Sequence, residues 1–107
     1  MVVSFDEFKK IELKAGQILS VEDVEGKDRL FKLRVDIGTE ITLVAGLKQF
    51  YSREELLGRK IIVVANLAPA KIGGIESQGM LLAGKDSGGK YCIATIDANV
   101  PNGTLLE

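Results

Sequence analysis

Apolar and polar residues alternate strictly along the segment LFKLRVDIG, which predicts a half-buried β-strand. The apolar side chains stand at the odd positions 31–37 and share the face of the strand that points to a core. Lys32 and Arg34 therefore lie side by side on the outer face. Gly38 and Thr39 form a turn that leads into EITLVAG, and this segment is predicted as the second strand of a hairpin.

Two short helices are predicted from their N-terminal capping signals. Ser4 is followed three residues later by Glu7, and Ser52 is followed in the same way by Glu55. This spacing lets each serine and glutamate satisfy free backbone N–H groups at the start of a helix. Gly58 is the predicted C-cap of the second helix, because glycine tolerates the left-handed backbone found at helix ends.

The other strands are predicted from apolar runs that lie between turns. Residues Leu13 to Val24 form a β-rich segment in which Gly16 marks a bend or a bulge. KIIVVANL has the apolar character of a fully buried strand, and the turn at residues 86–89 joins two further strands. Cys92 lies inside the second of these and is predicted to be a buried small apolar residue.

The order is therefore three strands, a short helix and at least two more strands. Short strands separated by regular turns indicate a small barrel or a sandwich. A helix between the third and fourth strands fits the five-stranded OB-fold barrel, whose second and third strands form a binding face. We predict one all-β domain over residues 1–107, with a short N-terminal helix ahead of the barrel.

The composition is that of an ordinary globular protein, with 46% hydrophobic and 27% charged residues. No apolar run approaches the roughly 20 residues that a membrane-spanning helix needs, and MVVSFDEFKK lacks the features of a signal peptide. Cys92 is the only cysteine, so no internal disulfide can form, which is typical of a reducing compartment. We therefore predict a cytoplasmic protein that does not associate with membranes.

The chain contains no histidine, which removes the commonest general base and the commonest nitrogen ligand for zinc. GMLLAGKD resembles a phosphate-binding P-loop, but Asp86 stands where the magnesium-binding hydroxyl belongs. The sequence IESQG around Ser77 only loosely resembles a nucleophile elbow, because Ile75 stands where the first glycine of that motif belongs. A hydrolase that uses only lysine and carboxylates remains an alternative. We predict a binding protein and not an enzyme, and we expect no catalytic residues, no cofactor and no metal.

Charge is unevenly distributed although the net charge is only −1. Residues 27–34 carry four basic side chains against Asp28, a net of +3, and residues 59–90 carry five basic against two acidic, again +3. If the fold brings these two basic stretches together, they form a local anion-binding face on an otherwise acidic protein. The alternative is two solvated faces that never meet.

The segment KIGGIESQGM combines a lysine with two adjacent glycines that let another backbone come close. Lys71 and the backbone N–H groups beside it could together bind a polyanion. Asn66, at the end of the preceding strand, either caps that strand or supplies a polar group at the mouth of a site. Met80 either belongs to the core or packs against a base or sugar.

The segment from Leu43 to Ala83, with its VANL-P-K-G-S-GM pattern, resembles the tRNA-binding domain of the methionyl-tRNA synthetase C-terminal type. DEFKKIELKAGQI is similar to the opening helix and first strand of that family, so the resemblance extends over essentially the whole chain. It implies an OB barrel with a C-terminal β extension over about residues 85–107, through which stand-alone members form homodimers. The implied RNA-binding positions are Asn66, Lys71, Ser77, Gly79 and Met80, with the basic residues Lys32, Arg34 and Lys85 nearby.

The resemblance implies a protein that binds tRNA by shape and backbone and acts in trans as an auxiliary or β-like subunit of an aminoacyl-tRNA synthetase. The methionyl enzyme is the expected partner. VEGKDRL departs from the family pattern before the second strand, which leaves contacts from the first half of that loop in doubt. A chaperone-like or protein-interaction branch is the alternative, although it tends to lack the SQGM pattern. The tail could also fold back over its own barrel instead of covering a second copy.

Overall fold

The twelve-residue strand β1, Leu13–Val24, runs through the middle of the computed structural model, which describes residues 1–107. The helices are α1, Phe5–Phe8, and α2, Arg53–Leu56; each has four residues, and neither could cross a membrane. The other strands, in chain order, are β2 Lys27–Asp36, β3 Glu40–Ala45, β4 Lys60–Val64, β5 Ala70–Ile72, β6 Ile75–Ser77, β7 Met80–Leu81, β8 Ala83–Lys85, β9 Tyr91–Ile93 and β10 Leu105–Leu106.

The strands form one main sheet in the order β3-β2-β1-β4-β7, in which the mapped neighbours are antiparallel. The short strand β10 also pairs with β1, ahead of the point where β2 begins to pair with it. Two separate ribbons, β5–β6 and β8–β9, stand off this sheet. The prediction of an all-β fold with three strands, a helix and further strands is confirmed. The backbone ladders do not join β3 to β7, so continuous strand pairing does not close a ring.

The alternation predicted for β2 is confirmed, since its apolar side chains enter a core of thirteen buried residues and Lys32 and Arg34 stay half-buried on the other face. Gly16 lies over this core, where an added Cβ would lie 3.1–3.2 Å from Val35, Ile37 and Val63. The prediction of a bulge at Gly16 is wrong. The register of β1 against β2 shifts farther along the chain, between Ile18 and Ser20 and between Asp23 and Val24.

Both predicted capping boxes are present, with Ser4 and Ser52 as the N-caps. A hydrogen bond from the backbone N–H of each serine lowers the pKa of its partner glutamate, Glu7 or Glu55, because the bond favours the charged carboxylate. Gly58 has φ of 82°, but it follows the C-cap residue of α2 and is not the cap itself.

The prediction that Cys92 is buried is wrong, because its side chain is exposed. Cys92 pairs with Gly84 across the β8–β9 ribbon. The ribbon stands off the main sheet, and Ala83 and Ile93 are its residues that pack against the core. The strand KIIVVANL was predicted to be fully buried, but β4 is buried only in part. In β4, Lys60 and Ile62 are half-buried and the other three residues are buried.

The C-terminal segment folds back onto the chain's own sheet. The backbone N–H of Gly103 donates to the carbonyl of Ala15, and that of Ala15 donates to the carbonyl of Thr104. The ammonium of Lys60 lies 2.6 Å from the side-chain oxygen of Asn102, which fixes the approach to β10. Leu105 nevertheless keeps 56% of its surface exposed.

Candidate nucleic-acid interface

The segment KIGGI forms a β-hairpin, with β5 and β6 as its strands and Gly73 and Gly74 as its turn. The two glycines have φ of 60° and 82°, the positive values that a two-residue hairpin turn of type I′ requires. Two adjacent glycines between short strands are a recognised hairpin signal, but no hairpin was predicted here. The ribbon therefore holds Lys71 and its neighbours in a defined geometry.

The tip of this ribbon rests on the turn between β1 and β2. An added Cβ on Gly73 would lie 2.8 Å from Cδ1 of Leu30 and 3.6 Å from Cγ of Lys27. Lys27 and Leu30 belong to the first basic stretch, and Gly73 belongs to the second. The fold thus brings the two basic stretches into contact at Gly73.

Ser77 lies inside the protein, with 3% of its surface exposed. Its hydroxyl accepts a hydrogen bond from the backbone N–H of Val44, 3.0 Å away, and donates to the carbonyl of Gly79 at 3.1 Å. Gln78 bonds to the same strand, because its backbone N–H donates to the carbonyl of Thr42 and its side-chain oxygen accepts from the Thr42 N–H, each at 2.8 Å. Ser77 and Gln78 therefore join β3 to the end of the β5–β6 ribbon.

Gly79 and Asn66 also make contacts within the protein. An added Cβ on Gly79 would lie 2.8 Å from the carbonyl oxygen of Val64, so that only glycine fits against β4 here. The Asn66 side chain donates to the carbonyl of Lys10 at 2.6 Å and accepts from the N–H of Glu12 at 2.9 Å. This arrangement matches the strand-end alternative for Asn66, with the segment after α1 as its partner.

An apolar groove of about 380 Å³ lies between β3, the β5–β6 ribbon and the β8–β9 ribbon. Ten of its eleven lining residues are hydrophobic, and Gly46 is the eleventh. The rim is formed by three side chains that remain exposed, Ile72 at 38%, Met80 at 51% and Tyr91 at 37%. Met80 is therefore a surface residue that lines the groove, and not a core residue.

Two lysines flank the apolar groove. Lys32 is the cross-strand neighbour of the lining residue Val44, so the two side chains share a face of the sheet. The ammonium of Lys85 lies 5.6 Å from the ring centre of Tyr91, a cation–π distance. Neither lysine forms an ion pair. Both are therefore available to an anionic ligand.

Lys71 and Arg34 are placed differently. Lys71 neighbours Glu76 across the ribbon, on the face opposite to Ile72, so it lies on the outer side of the groove wall. Lys71 forms no ion pair. The guanidinium of Arg34 is bound to the carboxylate of Glu40 at 2.6 Å and to the hydroxyl of Thr42 at 3.2 Å. The predicted set thus contains three cations without an ion pair, the exposed Met80 at the groove, and four residues that make close contacts within the protein.

Tyr91 and Gln78 were not among the predicted site residues. Tyr91 supplies the aromatic wall of the groove, and its ring contacts Phe50 edge-on with centroids 5.9 Å apart. An aromatic residue next to a Gly-Gly turn in a basic stretch was the available signal for Tyr91. Gln78 carried no such signal, because its role depends on the neighbouring strand β3.

The model of the family described as "Putative tRNA binding domain" matches residues 13–105. The chain belongs to this family. The family is one of binding domains and not of catalytic domains. A tRNA-binding domain thus accounts for nearly all of the chain, and the groove and the free lysines lie within the matched residues.

This tRNA-binding domain is similar to parts of larger enzymes. It is 52% identical over 106 residues to the methionine–tRNA ligase of Pyrococcus furiosus, a match that covers 98% of the chain and 14% of the ligase. The chain spans about a sixth or less of the length of the curated relatives it matches.

Two solved structures have nearly the same fold. The methionyl-tRNA synthetase-related protein of Pyrococcus horikoshii superposes with a TM-score of 0.94 at 37% identity, over 100% of this chain and 99% of that chain. The chaperone CsaA of Bacillus anthracis superposes with a TM-score of 0.90 at 24% identity, over all of both chains. At that identity the second match shows the fold alone.

Proposed function

We propose that this tRNA-binding domain acts in trans in the cytoplasm as an auxiliary or β-like subunit of methionyl-tRNA synthetase, recognising tRNA by its shape and backbone. The observation that carries the proposal is the meeting of the two basic stretches at Gly73, beside a groove flanked by unpaired lysines. The match to methionine–tRNA ligase suggests the synthetase. The structural match at 37% identity to the synthetase-related protein of P. horikoshii also supports a link to the synthetase.

The physical basis is the surface that folded RNA offers. RNA helices present phosphates, 2′-hydroxyls and a characteristic shape, whereas their major groove is too narrow to be read by side chains. In our proposal Lys32, Lys71, Lys85 and Met80 contact the RNA. Ser77, Gly79 and Asn66 hold the segments that present them, and Arg34 supports this face through its bond to Glu40.

We also propose that the fold is a five-stranded OB barrel formed by the path β3-β2-β1-β4-β7. The bonds from Ser77 and Gln78 to β3 take the place of a backbone ladder at the seam. This assignment puts β2 and β3 where an OB fold binds its ligand. It agrees with the position of Lys32 beside the apolar groove.

Titration with a tRNA transcript at several salt concentrations tests the proposed function. We expect the logarithm of the binding constant to fall linearly with the logarithm of salt concentration, by about 0.7–0.9 for each phosphate neutralised. Transcripts of unrelated tRNAs are expected to bind with similar affinity, while an unfolded polypeptide does not compete. Absence of binding, or binding that salt does not weaken, would contradict the proposal.

We expect the protein to form a homodimer through residues 85–107. A chain of net charge −1 has only a small basic face, and a second copy raises the effective concentration of that face on one RNA. Leu105, which is 56% exposed, offers apolar surface for such a contact. Sedimentation velocity at several protein concentrations should show a dimer, and a monomer at all of them would contradict this prediction.

A chaperone-like or protein-interaction role is the second candidate, and the apolar groove is the observation that favours it. Apolar clefts of this kind can also hold extended peptides. The free lysines beside the groove favour the anionic ligand, so tRNA remains our proposal. Stronger binding of an unfolded polypeptide than of tRNA would reverse this order.

A further inference from the structure

We infer that the apolar groove receives one unstacked base of the bound RNA, an inference that rests on the proposed function. The groove volume of about 380 Å³ lies within the range of roughly 300–1,000 Å³ typical of sites for small organic molecules. The Tyr91 ring and the Met80 side chain stand at the rim and remain exposed. They present flat or adaptable apolar surface against which a base can pack.

The chemistry of the lining determines how such a base is recognised. Apart from the tyrosine hydroxyl, the lining side chains offer no hydrogen-bonding group to the edge of a base. These side chains would therefore hold the base mainly by stacking and packing on its faces. Stacking of this kind tolerates any base, because every base has a π-face. The groove would add affinity without sequence preference, in agreement with recognition of tRNA by shape.

The charges around the groove favour RNA over an apolar peptide. Lys32 shares a sheet face with one wall of the groove, and the ammonium of Lys85 lies 5.6 Å from the Tyr91 ring on another wall. A base is always flanked by phosphates, which these two free cations can neutralise. An apolar peptide would leave both cations without a partner. The combination of an aromatic surface with neighbouring cations is the arrangement that single-stranded nucleic acid requires.

Paired substitutions of Tyr91 test the inference. Tyr91→Ala removes the ring, whereas Tyr91→Phe keeps it and removes only a hydroxyl that forms no hydrogen bond in the structure. We expect Tyr91→Ala to weaken binding of a tRNA transcript by about 5- to 160-fold, the range for loss of one base stack. Tyr91→Phe should bind like the unmodified protein. The salt dependence should be the same for both variants, because neither removes a charge.

Met80→Ala provides a second variant in case Tyr91→Ala fails to fold, since the Tyr91 ring also contacts Phe50. Met80 is 51% exposed, so its truncation leaves the core intact. It should weaken tRNA binding in the same direction while thermal unfolding stays unchanged. A tRNA transcript containing 4-thiouridine gives a direct readout, because irradiation links the base to the residue it touches. We expect adducts on the groove residues, and adducts confined to other surfaces would overturn the inference.

The outcomes separate this inference from the proposed function. If the unmodified protein does not bind tRNA, the proposed function fails. If it binds tRNA with the expected salt dependence and Tyr91→Ala and Met80→Ala bind equally well, only the base site is overturned. If an unfolded polypeptide displaces tRNA and Tyr91→Ala loses the polypeptide but keeps the tRNA, the groove is a peptide site and the inference is wrong.

Discussion

Replacement of Lys32, Lys71 and Lys85 by alanine is expected to weaken tRNA binding roughly 10- to 100-fold, if each exposed contact contributes about 0.5–1 kcal/mol. None of the three forms an ion pair within the protein, so their loss should leave folding unaffected. Loss of three phosphate contacts should also flatten the plot of log binding constant against log salt by about 2–3 units. Titration of one tRNA transcript at four or five salt concentrations measures both quantities.

A control variant removes three positive charges at positions outside the proposed site. Lys48 and Arg53 both pair with Asp23, and Arg59 lies over the ring of Tyr51 and donates to a backbone carbonyl. Alanine at Lys48, Arg53 and Arg59 changes the net charge equally, so it reproduces any general electrostatic effect. Its salt dependence should stay close to that of the unmodified protein. Equal losses in the two triple variants would mean that overall charge, and not a local site, controls binding.

The single variant Lys71→Ala distinguishes two paths for the RNA. Lys71 lies on the outer side of the β5–β6 ribbon, across from Glu76, while Lys32 and Lys85 flank the groove. If the RNA backbone crosses the β5–β6 ribbon on its way to the groove, Lys71→Ala should flatten the plot of log binding constant against log salt by about one unit. An unchanged slope would confine the contacts to the two lysines at the groove.

Local signals predicted part of the regular structure of this fold correctly, including both helices and strand β2. The capping pairs at Ser4 and Ser52 fix where the helices begin, because the bonds connect residues only three apart. The alternation in β2 fixes which side chains enter the core, because successive side chains of a strand point to opposite faces. Neither inference needs knowledge of a distant segment, and both are confirmed.

Errors and omissions arose where a residue depends on a distant partner. Gly16 packs closely against the side chains of Val35, Ile37 and Val63, and its place early in the strand suggested a bend or a bulge, whereas the register shifts lie farther along β1. Cys92 alternates like a core residue, yet its side chain is exposed, and the neighbouring Ile93 packs against the core instead. Tyr91 became a site residue only when β3 and the β5–β6 ribbon completed the groove around it. Binding surfaces assembled from three separated segments cannot be read from local periodicity.

Ser77 shows the same dependence most clearly. The family resemblance implied an RNA-binding position, and the sequence left open whether the hydroxyl touches RNA or holds the segment in shape. In the structure the side chain is buried and both functions of its hydroxyl are used, one by Val44 and one by Gly79. A motif residue can therefore have a structural role, here the joining of two strands, that the sequence around it does not reveal.

Ser77→Ala is accordingly expected to destabilise the protein while leaving the tRNA affinity of the folded protein intact. The change leaves the N–H of Val44 and the carbonyl of Gly79 without a partner in the interior, at a cost of about 1–3 kcal/mol. For a domain of this size the melting temperature should fall by about 4–8 °C for each kcal/mol. Thermal unfolding and tRNA titration of the same preparation, carried out well below the melting temperature, measure the two properties separately.

Ser87→Ala is the control, because Ser87 is exposed in the turn between β8 and β9 and its hydroxyl forms no hydrogen bond in the structure. It should change neither stability nor affinity. If Ser77→Ala instead keeps the melting temperature of the unmodified protein and loses tRNA affinity, the hydroxyl must turn outward to the RNA. The seam between β3 and the β5–β6 ribbon would then be held by Gln78 alone, whose two bonds to Thr42 do not involve Ser77.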